Sequence, residues 1–192
     1  MSLSLSLGRM QPSCVCLNTS NVLRRMLPGS RLEVANLGDS GLRLLRDSQV
    51  TFATEDLQHE FNMPFQLANK RLLPETDMPE DATVDVLPVQ QGDIALVATD
   101  GFFDNVWEAD LCQVVADAVN NVPEGLLDSD GMETLAKRLV AFAAAKSTEE
   151  GYRSPWSVEC AQRRPGGPLR QLLARGGKLD DITVIVAQMQ SS

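Results

Sequence analysis

Three aspartate-bearing turns are the places in this sequence where chemistry could be done: Asn36-Leu37-Gly38-Asp39-Ser40-Gly41, Thr99-Asp100-Gly101-Phe102-Phe103-Asp104-Asn105 and Gly176-Gly177-Lys178-Leu179-Asp180-Asp181-Ile182-Thr183. In the first two an apolar run ends at the carboxylate, and in the third the apolar run of residues 182–186 follows it. A carboxylate at a strand end is rigidly held yet points outward, so neighbouring strand ends can aim several oxygens at one point. Clustered carboxylates repel one another and raise some of their pKa values, so such a cluster persists mainly where a cation neutralises it. Hard oxygen donors select Mg²⁺ or Mn²⁺ over metals that prefer soft ligands. Taken singly each aspartate is an ordinary turn residue; the ordered set of three carries the signal.

The elements that must position these turns are short strands and two helices. Period-2 and fully apolar runs predict strands over residues 32–37, 42–45, 49–52, 83–87, 94–98 and 182–186, with 94–98 apolar on both faces and therefore central. A further strand is expected over 13–18, where Cys14-Val15-Cys16-Leu17 is a short apolar run; a leader reading competes there. Helical spacing predicts helices over 108–120 (Leu111, Val114, Val115, Val119) and 133–145 (Leu135, Leu139, Val140, Phe142), with Asp130-Gly131 as the turn between them. Residues 54–81, with Pro64, Pro74 and Pro79, read as loop, and 146–177 as irregular structure with one short helix near 169–174.

Composition narrows the function classes. The 192 residues, 43% of them hydrophobic, suffice for one globular unit, and no apolar run approaches the ~20 residues of a membrane-spanning helix. A formal net charge of −9, with the acidic residues spread along the chain after residue 32, argues against a nucleic-acid-binding surface. The spacing of Cys14, Cys16, Cys112 and Cys160 fits neither a zinc ribbon nor a disulfide framework, so reduced thiols are expected. The first 32 residues contain four arginines and no acid and are rich in serine and leucine, as organelle transit peptides are. His59, the only histidine, reads as a loop residue, and Trp107, Phe102 and Phe103 as core packing. Asp128-Ser129-Asp130-Gly131 with Glu133 lacks the spacing of an EF-hand and reads as a turn and helix start.

The three turns resemble motifs of the type 2C metal-dependent protein phosphatases. Asn36 to Gly41 is similar to that family's Gly-Asp-Ser turn, Thr99 to Asp104 to its second Asp-Gly motif, and Asp180-Asp181-Ile182-Thr183-Val184 to its C-terminal Asp-Asp/Asn motif. His59-Glu60-Phe61-Asn62-Met63-Pro64-Phe65-Gln66-Leu67 and Gly176 to Asp181 resemble segments of the organelle-associated eukaryotic branch, and the likeness runs over residues 13–188.

The resemblance implies an α+β fold: a partial type 2C phosphatase fold, an antiparallel β-sandwich flanked by helices, with N-terminal strands and helices missing. Residues 1–12 are then expected to be disordered or leader-like and 13–192 to form the C-terminal part of the catalytic domain. It also implies a binuclear Mg²⁺ or Mn²⁺ centre and hydrolysis of phosphoserine or phosphothreonine by a metal-activated water. By motif position, Asp100 and Asp180 are the catalytic metal ligands of the pair, and Asp39 and Asp104 belong to a neighbouring, weaker metal site. Gly101 would let the backbone approach closely without crowding metal-bound waters, and Asp181 would stand behind the ligands.

The family's first Asp-Gly motif has no counterpart, since residues 1–38 contain no aspartate, nor is its phosphate-binding arginine identifiable. An N-terminally truncated chain with an incomplete centre is therefore expected. The expected partner is a phosphoprotein substrate, with no nucleic acid and no membrane, in a mitochondrion or chloroplast or otherwise the cytoplasm. Two alternatives stand beside the enzyme: a catalytically inactive phosphatase-like binding or regulatory fragment, and an acidic structural module whose aspartates only make turns.

Overall fold

The computed structural model describes residues 4–6, 21–27, 30–163 and 172–190. In chain order its strands are β1 (Ser4–Ser6), β2 (Asn21–Leu27), β3 (Arg31–Leu37), β4 (Gly41–Arg46), β5 (Gln49–Ala53), β6 (Gln58–Glu60), β7 (Met63–Pro64), β8 (Thr83–Pro88), β9 (Ile94–Ala98) and β10 (Val184–Gln188). The helices are α1 (Asp100–Phe103), α2 (Glu108–Val119), α3 (Ser129–Ser147) and α4 (Pro155–Arg163).

The five residues of β9 are all buried, as an uninterrupted apolar run requires, because polar alternation would be needed to leave one face wet. This strand is the centre of a five-stranded sheet ordered β1-β10-β9-β4-β5, in which every pairing but the parallel β1–β10 contact is antiparallel. Ala95 and Val97 of β9, Leu42 and Leu44 of β4 and Ile185 of β10 pack against Leu32 and Val34 of a second sheet, ordered β2-β3-β8. On the opposite face Ile94, Leu96, Ala98, Val184 and Val186 pack against Leu111 and Val115 of α2 and Leu135 and Leu139 of α3. The layers are thus sheet, sheet, helices, an α+β sandwich of the expected kind.

Differences from the sequence expectations have local causes. α3 starts at Ser129, and the Asp128 side chain accepts from the Gly131 N–H as its N-cap. Asp130-Gly131 therefore lies inside the first helical turn and is no interhelical turn. α4 occupies a stretch expected to be irregular: Pro155 opens it, where a missing N–H is tolerated because the first helical N–H has no intrahelical acceptor. β2, unexpected from sequence, pairs antiparallel with β3. The expected loop 54–81 carries the short β6–β7 pair, where His59 joins Asp77 at 2.9 Å and stacks on Phe65. Trp107 is 40% exposed, not core, and donates its indole N–H to the Arg153 carbonyl. Neither Cys112 nor Cys160 is in a disulfide. The expected strand 13–18, with Cys14 and Cys16, and most of the expected helix 169–174 lie outside the described residues.

Candidate functional site

The end of β9 and the entry to β10 are stitched together by Thr99. Its backbone N–H donates to the Thr183 carbonyl at 3.2 Å, its hydroxyl donates to the Asp181 carbonyl at 2.8 Å, and the Thr183 N–H donates to the same hydroxyl oxygen at 3.1 Å. Asp100 opens the single turn α1 and Asp104 caps its end, so the two carboxylates, four residues apart, share one face. Gly101 sits where a Cβ would come 2.6 Å from the Asp181 carbonyl oxygen and 3.1 Å from the Asp180 Cβ. The absent side chain lets α1 dock on the backbone that carries Asp180; what it would crowd is protein, not solvent.

Asn105, wholly buried, fixes the third segment. Its Nδ2 donates to the carbonyls of Gly101 and Lys178, both at 2.8 Å, and its Oδ1 accepts the Lys178 N–H at 2.9 Å. The ammonium of Lys178 thereby lies among the carboxylates, 2.7 Å from Asp100 Oδ2, 2.7 Å from Asp104 Oδ2 and 3.1 Å from Asp180 Oδ2. Three of the aspartates singled out from sequence are brought to one point by a lysine that the sequence reading assigned no role. Asp181 contributes its carbonyl to Thr99 and its N–H to Asp180 Oδ1, while its side chain is exposed. Asp39 lies in the turn out of β3, after Gly38 with its φ of +97°, and the pairing of Gly41 with Ala98 sets that turn at the same end of the sheet as Asp100.

One ammonium serving three carboxylates leaves an excess of negative charge. Burial, added to by the charges of Asp100 and Asp56, pushes the Asp104 carboxyl up to about 6 in spite of its bond to Lys178. Lys178 is raised as well: burial lowers its pKa, but the bonds to Asp100 and Asp104 override this and hold it above the ordinary lysine value. The ammonium has three anionic partners, while the three carboxylates share one cation. A further carboxylate that sequence reasoning missed, Asp56, is also pushed up to about 6, by loss of surrounding water and then by Asp39, Glu159 and Asp100, against the pull of Arg43. Asp56 keeps part of its surface in solvent, which moderates that effect.

Among the described residues no three carboxylate, imidazole or thiol groups stand at metal-ligand spacing. The three aspartates are set at ammonium spacing, wider than the ~2.0–2.1 Å of a Mg²⁺–oxygen bond. In donor type, convergence on a cation and excess charge they nevertheless fit a divalent ion.

No family model matches the chain. It is 33% identical over 165 residues to a protein named probable protein phosphatase 2C 26 from Arabidopsis thaliana, covering 84% of this chain and 51% of that one. It is 37% identical over 169 residues to protein phosphatase PTC7 homolog fig from Drosophila grimshawi, covering 84% and 50%. The fold superposes on the X-ray structure of the photosystem II phosphatase PBCP with a TM-score of 0.73 and 30% identity, over 89% of this chain and 64% of that one.

The chain is a type 2C protein phosphatase relative. It spans about half the length of the curated relatives it matches.

Proposed function

We propose that this chain carries carboxylates of a metal-dependent serine/threonine phosphatase site, acting on phosphoserine or phosphothreonine in protein substrates with Mg²⁺ or Mn²⁺ as cofactor. The observation that carries the reading is the convergence of Asp100, Asp104 and Asp180 on one cation in a chain related to type 2C phosphatases. When bound, a divalent ion supplies an acidified water and charge neutralisation for the phosphoryl oxygens. The chain's own residues do the positioning. Asp100 and Asp180 offer ligand oxygens from two segments that Thr99 ties together, Asp104 adds a third, and Asp39 and Asp56 add negative potential that attracts cations. Gly101 sets the distance between the segments. The basic, acid-free first 32 residues favour a mitochondrion or chloroplast as the compartment, with the cytoplasm as the alternative. No described helix is long and apolar enough to cross a membrane.

A second reading, a catalytically inactive phosphatase-like binding fragment, is favoured by one observation: Lys178 pairs with all three carboxylates. Mn²⁺-dependent hydrolysis of a small aryl phosphate and of a phosphothreonine peptide by the full chain, beside Asp100→Asn, separates the two. Turnover that needs Mn²⁺ and is lost in Asp100→Asn supports the enzyme; no turnover at saturating Mn²⁺ supports the binding fragment.

A further inference from the structure

We propose that Lys178 is a built-in competitor of the metal: its ammonium occupies the cation position of the Asp100–Asp104–Asp180 cluster, and divalent ions load only by expelling it. The inference rests on reading those aspartates as metal ligands and goes beyond it by naming what controls their loading.

The geometry makes the two occupants exclusive. A hard divalent ion bonded to the Oδ2 atoms must come within ~2.1 Å of oxygens that already lie 2.7 to 3.1 Å from the Lys178 nitrogen. Two like charges cannot share that volume in a partly buried site. The lysine is also aimed there by its own main chain, because Asn105 grips both its N–H and its carbonyl while anchored to the Gly101 carbonyl. With this root fixed, the four-carbon stem is the part that moves; the head group is strongly hydrated and regains water on leaving. Two consequences follow for the cycle of the site. Without metal, the lysine relieves repulsion among the aspartates and keeps the site assembled. With metal, the ion must outcompete one tethered charge, so loading requires a higher metal concentration than the carboxylates alone would demand.

Two measurements on the full chain test this. Reductive methylation of lysines, followed residue by residue by mass spectrometry, should proceed several-fold faster at Lys178 when Mn²⁺ is added, with other lysines unchanged. Mn²⁺ titration by calorimetry should show Lys178→Met binding about 10-fold more tightly than the natural chain, with Asp100→Asn weakened. If the natural chain binds Mn²⁺ through Asp100 but Lys178 reactivity does not change, or Lys178→Met binds no more tightly, the competition is overturned and the metal reading survives. If neither chain binds Mn²⁺ in an Asp100-dependent way, the metal reading falls and the proposal with it. The labelling arm needs no substitution, so a poorly folding variant does not block the test.

Discussion

The two ends of strand β9 each set aspartate against a basic side chain, on opposite terms. At the entry, Asp93 is 1% exposed and Arg46 meets it with two nitrogens, at 2.8 and 2.7 Å, while the Gln90 N–H donates to the same carboxylate at 2.9 Å. One anion has one forked cation and a backbone donor, so every demand is met. At the exit, one ammonium is divided among Asp100, Asp104 and Asp180, and the side chains remain partly open to water. The balanced pair holds the loop before β9 in place, whereas the unbalanced cluster stays short of positive charge. Charge balance, more than the number of contacts, distinguishes a structural ion pair from a site that attracts cations.

The sharpest way to break this contrast is Asp93→Ala. It removes the charged acceptor shared by the part-exposed Arg46 guanidinium and the Gln90 N–H and should destabilise the chain by about 2 kcal/mol in urea unfolding, with Mn²⁺ binding unaltered. A loss under ~1 kcal/mol would mean that water replaces the carboxylate and that the entry end is not the tighter one.

Gly101→Ala acts on the exit end. Its Cβ would meet the Asp181 carbonyl, which is main chain and cannot rotate away. We expect a loss of about 1–2 kcal/mol and weaker Mn²⁺ binding as Asp180 is pushed off the cluster; unchanged affinity would show that the segment spacing is slack.

A smaller effect separates the two ends by pH. The Asp104 carboxyl sits at about 6 in the fold against 3.8 as its ordinary value. Folding thus favours its protonated form, and its contribution to stability is complete below pH ~4 and lost as pH rises through ~6. Metal-free chain should gain on the order of 1 kcal/mol from this group between pH 7.5 and pH 5, read as a rise in Tm in the presence of a chelator. Asp104→Asn should remove that part of the slope; an identical slope in the variant would place the titration elsewhere.

Much of the scaffold was legible because its signals are local. β9 was read to the residue from five consecutive apolar side chains, and α2 within one residue from the spacing of Leu111, Val115 and Val119. Where reading failed, a local cue pointed the wrong way. Residues 155–163 lay in a stretch read as irregular but form α4, Asp130-Gly131 read as a turn but follows the Asp128 cap, and Asn21–Leu27, where no strand was expected, pairs with β3. The aspartate turns were visible for the same local reason, being carboxylates abutting apolar runs. Lys178 and Asp56 were not, because nothing in their immediate neighbours signals what they face.

The sequence by itself determined the strands and helices with an uninterrupted apolar or periodic pattern, such as β9 and α2, and the aspartate turns beside the apolar runs. Side-chain type and periodicity act over a few residues and need no knowledge of the rest of the chain. Only the tertiary structure decided that Asp100 and Lys178, 78 positions apart, meet at 2.7 Å. That contact depends on the antiparallel register of β9 with β10, on the Thr99 stitch and on the Asn105 grip, each joining segments more than 70 residues apart in the chain.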